Sequence, residues 1–114
     1  MDNRKRILTF LENITPLLSN NREEDIESIR ILVDDIILDL GLDKSQLITK
    51  WVSIHGESAF KVLQVVDSET YFKVVSIILS SSLEYISKFN DPLYLIAQLS
   101  IISDWYSFGA LNIK

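Results

Sequence analysis

The chain has one histidine, His55, and the run His55-Gly56-Glu57-Ser58 brings a base, an acid and a hydroxyl together in sequence. Imidazole titrates near neutral pH, so such a residue could serve as a general base or a metal ligand. Catalysis needs groups that converge in space, however, and consecutive residues point in different directions. Histidine followed by glycine is instead the pattern of a helix end, where exposed carbonyls favour a cation. His55 is therefore expected to be structural, and no catalytic residue is assigned. The chain has no cysteine, which excludes disulfides, thiolate zinc sites and a cysteine nucleophile.

Carboxylates are the second group that could do chemistry. Residues 23–43 hold Glu23, Glu24, Asp25, Glu27, Asp34, Asp35, Asp39 and Asp43 against a single Arg30. At about 100° per residue, Glu23, Glu27 and Asp34 form one stripe of a helix, with Glu24, Asp35 and Asp39 beside it. Hard divalent cations need several oxygens gathered by a tight turn, and this spacing matches no calcium loop. A solvated helix face is the expected reading, with no metal and no cofactor. Within that acidic face stand Ile31 and Leu38, seven residues apart and nearly aligned, pointing away from the Ile26–Val33–Leu40 stripe. They are either covered by the first helix or exposed as a contact pair. Ile31, Leu38, Asp34 and Asp35 are the candidate partner-binding residues.

A helix-turn-helix is the sharpest nucleic-acid motif to test. Aligning Gly56 with the turn puts Ile48 to Trp51 in a first helix and Ala59 to Val66 in a second, with Val62 and Val65 at apolar positions. Val52 stands where a small residue is wanted, and the second helix offers only Lys61 and Gln64 as polar readers. With Arg4, Lys5 and Arg6 these make up the alternative, nucleic-acid-binding reading of the 47–66 corner. Sixteen acidic against eleven basic residues give a net charge of −5, which repels phosphate and makes nucleic acid the less favoured partner.

The elements that must position these residues are all helical. Apolar residues recur at helical spacing in Ile7, Leu11, Ile14, Leu18, then Ile26, Ile29, Val33, Ile36, Leu40, and again from Tyr71 to Phe89. Punctuation fits: Asn21 with Glu24 and Asp43 with Gln46 resemble N-terminal caps, Gly41 and Gly56 suit helix ends, and Asp91-Pro92 is a strong start. Helices are predicted near 4–19, 22–41, 44–54, 57–66, 68–89 and 92–108, with Pro16 kinking or ending the first. The expected fold is an all-α compact bundle of five to six helices, one domain spanning 1–114. No apolar run is long enough for a membrane span and no signal peptide is evident, so a cytoplasmic protein is expected.

The last helix is apolar nearly all round. Tyr94, Ala97, Ile101, Trp105 and Phe108 form one seam, and Leu95, Leu99, Ile102 and Tyr106 a second. Only a narrow strip of Ser100, Ser103, Asp104 and Ser107 is polar. A peripheral helix can bury one such seam against its own fold. Either this helix is the centre of the bundle, or the second seam, Leu95, Leu99, Ile102 and Tyr106, forms a homodimer interface, which is the reading expected for the last helix of the chain. The functional expectation is a non-catalytic protein–protein interaction or regulatory domain that binds a protein partner.

Overall fold

Capping chemistry sets where the helices begin and end. A computed structural model describes residues 3–58, 61, 70–88 and 91–108. Among these are five helices and no strand: α1 (Asn3–Asn20), α2 (Ile26–Leu40), α3 (Lys44–His55), α4 (Tyr71–Lys88) and α5 (Pro92–Phe108). A 3₁₀ turn, Glu23–Asp25, leads into α2. The chain is an all-α, single-domain bundle. Its radius of gyration of 13.4 Å is close to the roughly 13 Å expected of one compact unit of this length. The helix expected at 57–66 lies largely outside the described residues, as do Gln64, Phe89 and Gly109.

Asp43 caps α3, its Oδ1 accepting from the Ser45 backbone N–H at 2.9 Å and the Ser45 hydroxyl at 2.7 Å. Asp91 caps α5 in the same way, accepting from the Tyr94 N–H at 3.2 Å. Gly41 closes α2 in the left-handed region at φ 64°. Its N–H donates to Leu38 O, and that of Leu42 reaches back to Ile37 O at 2.9 Å. The paired bonds are those of a Schellman end, which satisfies two otherwise orphaned carbonyls. Gly56 ends α3 at φ 88°, ψ 155°, a backbone region essentially confined to glycine.

One expectation about α2 is corrected, and one of the two alternatives for Pro16 falls. Asn21 does not cap α2. It sits just past the end of α1 in the left-handed region at φ 49°, which asparagine tolerates better than most residues. Its amide donates to the Ser76 and Ser80 hydroxyls of α4 at 2.9 and 3.1 Å, tying the α1–α2 connection to α4. Pro16 does not end α1, which runs through it to Asn20. Pro16 is exposed, on the side of α1 where a lost backbone hydrogen bond costs least.

Packing centres on α5. It contacts α2, α3 and α4, while α1 lies across α2 and α4. Leu95, Ile96, Ala97, Leu99, Ile101, Ile102 and Trp105 are all buried, Leu99 and Trp105 completely. Leu95, Leu99 and Ile102 of one seam and Ala97, Ile101 and Trp105 of the other are thus covered within one protomer, while Tyr94 and Tyr106 are half-buried. Burial of each large side chain contributes roughly 1.5–3 kcal/mol, offset by the entropy of ordering it, so occupying three neighbours at once is the stable solution for such a helix.

Candidate functional site

The acidic segment divides into two stripes with different fates. The Glu23, Glu27 and Asp34 stripe turns toward the C-terminal half of α5. Glu23 accepts from the Tyr106 hydroxyl, and Glu27 from the Ser107 hydroxyl at 3.4 Å. Asp34 pairs with Arg30 at 3.0 Å and Lys44 at 3.2 Å, and Lys44 also reaches Asp104 of α5 at 2.6 Å. Burial works against the Lys44 charge, yet the hydrogen bonds and charges of Asp104 and Asp34 outweigh it, and its pKa is raised. Burial, reinforced by Glu23, pushes the Tyr106 hydroxyl up to about 12. Asp34 is accordingly ion-paired within the fold, to Arg30 of α2 and Lys44 of α3.

The other stripe stays outside. Glu24, Asp35 and Asp39 are exposed, and so are the two aliphatic residues between them: Ile31 is 48% and Leu38 80% exposed. The first helix does not cover them. It meets the end of α2 through Arg6, whose Nη1 donates to the Asp39 carbonyl at 2.6 Å. Ile31, Leu38 and Asp35 thus form an apolar pair on a carboxylate field, one open face of α2.

His55 belongs to a second arrangement, where α3, α4 and α5 meet. Its Nε2 lies 2.6 Å from the Tyr94 hydroxyl. Tyr94 donates its only hydroxyl proton to Gln98 Oε1 at 2.9 Å, which makes it the acceptor toward His55 and puts the imidazole proton on Nε2. Gln98 also accepts from Trp51 Nε1 at 3.4 Å and donates to the Ser82 hydroxyl at 2.9 Å, which in turn donates to Ile78 O at 2.8 Å. The Trp51 and His55 rings lie 4.5 Å apart. Burial lowers the His55 pKa. The cation expected at this helix end is therefore disfavoured by partial desolvation. Tyr94 and Gln98 had not been singled out as site residues. A lone glutamine in the middle of an apolar helix was the available signal, since a buried amide needs partners.

The described basic residues of the nucleic-acid alternative stand on α1 and at position 61. Arg4 and Lys5 are exposed near the start of α1, Arg6 is held at Asp39, and Lys61 is exposed. Lys44 and Lys50 are ion-paired, the latter with Asp91 at 3.5 Å. A groove of about 460 Å³ runs between α1, α4 and the start of α5, walled by residues such as Ile7, Leu11, Ile86 and Leu95 with Arg4 and Asp91. Among the described residues, no cluster of three or more histidine or acidic side chains could hold a metal, and no helix is long and apolar enough to cross a membrane. No protein family, curated protein or solved structure matches this chain.

Proposed function

We propose that this chain is a non-catalytic interaction domain that binds a protein partner through the outer face of α2. The observation that carries this reading is Leu38, 80% exposed and aligned with Ile31 on a face that also carries the exposed Glu24, Asp35 and Asp39. Isolated surface aliphatics need no explanation. An aligned pair framed by one sign of charge is what an interface anchor with a polar rim looks like. The chemistry fits a partner with an apolar pocket bordered by lysine or arginine. A second copy of this face would set carboxylate against carboxylate, which disfavours self-association through it.

The His55 arrangement supports the non-catalytic reading. Its Nε2 carries the proton and donates it to Tyr94, and the chain of hydrogen bonds beyond Tyr94 ends on the Ile78 carbonyl of α4. That arrangement locks side chains rather than activating one of them. The test compares proteins captured from the native host by wild type and by Ile31→Ser/Leu38→Ser. A partner retained by wild type and lost by the folded double variant is the expected result. Identical capture by both would end the assignment to α2. Light scattering on the wild type separately measures whether a homodimer forms at all.

A further inference from the structure

The outer face of α2 and the groove between α1, α4 and α5 are unlike surfaces of one molecule, and their chemistry is complementary. The α2 face is a ridge. Leu38 is 80% exposed, and Ile31 stands about 10 Å before it along the helix. Exposed Glu24, Asp35 and Asp39 border the pair. The groove is concave and largely apolar, with a volume of about 460 Å³. Ile7, Leu8 and Leu11 of α1, Tyr85 and Ile86 of α4, and Leu95 of α5 line it. Helical spacing puts Arg4 on the same side of α1 as Ile7, Leu8 and Leu11, and Leu8 is 54% exposed there.

Arg4 lines the groove and Lys5 is exposed next to it. The carboxylate in the lining, Asp91, is engaged by the Tyr94 N–H that it caps and by Lys50. The groove thus offers apolar walls with cations at one end, which is what an aliphatic ridge bordered by carboxylates requires. A protomer cannot seat its own ridge. Arg6 meets α2 at the Asp39 carbonyl, and Arg4 and Leu8 each lie roughly 160° from Arg6 around α1. The α2 helix is therefore on one side of α1 and the groove on the other. A contact between ridge and groove joins two copies, and because the surfaces differ it is head to tail rather than twofold. The net charge of −5 on each copy opposes random association and favours the orientation that sets cations against carboxylates.

We propose that the chain binds a second copy of itself head to tail, with the Ile31 and Leu38 ridge of one copy seated in the groove lined by Leu8 and Arg4 of the next. This names a partner for the α2 face and rests on the reading of that face as a binding surface. Sedimentation velocity on the full chain, up to about 500 μM, provides the test. Wild type is expected to gain mass with concentration, and to gain less at high salt. Leu38→Asp removes the ridge and Leu8→Asp spoils the groove, each at an exposed position. Each alone is expected to weaken association at least about tenfold while its circular dichroism stays helical. Mixed together they are expected to form a dimer of one copy of each that does not extend, because each supplies the surface that the other has lost. Arg4→Glu should weaken association about tenfold and flatten its salt dependence, and it replaces Leu8→Asp in the mixture if that variant does not fold. A wild type that stays monomeric, full association by the groove variant, or no dimer in the mixture would each overturn the proposal. Capture of a different protein that still depends on Ile31 and Leu38 would then leave the α2 reading standing. Self-association and capture both unchanged in Leu38→Asp would remove the two together.

Discussion

Helix α5 and the outer face of α2 both carry more apolar side chains than a single buried stripe needs, and they dispose of them in opposite ways. In α5, Leu95, Leu99 and Ile102 of one seam and Ala97, Ile101 and Trp105 of the other are buried where the helix packs against α2, α3 and α4. In α2, Ile31 and Leu38 remain in water. The difference lies in the polar residues that interleave with them. Between the seams of α5 stand Ser100 and Ser103, both buried. A serine hydroxyl can return its proton to a carbonyl of the preceding turn, as Ser103 does to Leu99 O at 2.6 Å, so it enters the core without needing water. Ile31 and Leu38 are instead flanked by Glu24, Asp35 and Asp39. A carboxylate enters a core only with a cationic or hydrogen-bonding partner, so a second helix cannot be laid over that face at low cost.

This contrast can be broken most forcefully at Leu99, which has no exposed surface. Leu99→Asp places an unpaired charge among Ile, Leu and Trp side chains. It is expected to cost roughly 4 kcal/mol or more and to abolish the cooperative thermal transition followed by far-UV circular dichroism. A folded, helical Leu99→Asp monomer would mean that the seam is an intermolecular surface after all. Gln98→Leu comes next. Gln98 is 7% exposed and holds Trp51, Tyr94 and Ser82. The variant puts an apolar side chain of similar size in place of the amide and strips a partner from each of three groups, so a loss of roughly 2–4 kcal/mol is expected from urea denaturation.

The all-helical fold was legible because Asp43, Gly41, Gly56 and Asp91-Pro92 mark their helix ends by local chemistry that tertiary packing did not override. Asn21 misled because asparagine suits both an N-cap and a left-handed residue after a helix, and only the reach to Ser76 and Ser80 of α4 decides between them. The position of α5 was not legible. A twofold apolar helix demands cover on two sides, but periodicity does not say whether the cover is the chain's own or another's. The surroundings of Asp34 were not legible for a related reason: its stripe on α2 can be read from the spacing, but its partner Lys44 comes from α3 and is shared with Asp104 of α5, and such distant pairings leave no local trace. The groove was not legible because Ile7, Ile86 and Leu95 come from three helices.

Smaller effects sharpen the comparison at the seam between α2 and α5. Lys44 joins Asp34 to Asp104 while its side chain is 42% exposed, so solvent screens the pair. Lys44→Met is expected to lower stability by about 1 kcal/mol, and by less at high salt, in urea melts at two ionic strengths. His55 adds a pH signature. Burial lowers its folded pKa, so the folded chain prefers the neutral ring. The stability it contributes is present above its ordinary value of about 6.5 and is lost as pH falls through that value. Melting temperatures of wild type and His55→Gln should therefore diverge less at pH 5.5 than at pH 7.5. A gap that widens on acidification would reverse the assigned direction.

The smallest stability change is expected where the functional one is largest. Leu38→Asp puts the same new side chain on α2 that Leu99→Asp puts on α5, but at a position already 80% exposed. Little apolar contact is lost and the new charge is hydrated, so the change in stability should stay within about 0.5 kcal/mol. The added carboxylate joins Asp35 and Asp39, and the anchor disappears. Partner capture should then fall at least tenfold, since the loss of one buried leucine at an interface is worth roughly 1.5–3 kcal/mol. Paired urea melts and capture measurements on the same preparation separate the two quantities. If Leu38→Asp unfolds the chain, α2 is covered on its outer side as α5 is, and the two helices are alike. If it folds and still captures its partner fully, exposure at Leu38 is incidental, and the binding surface must lie on another face of the bundle.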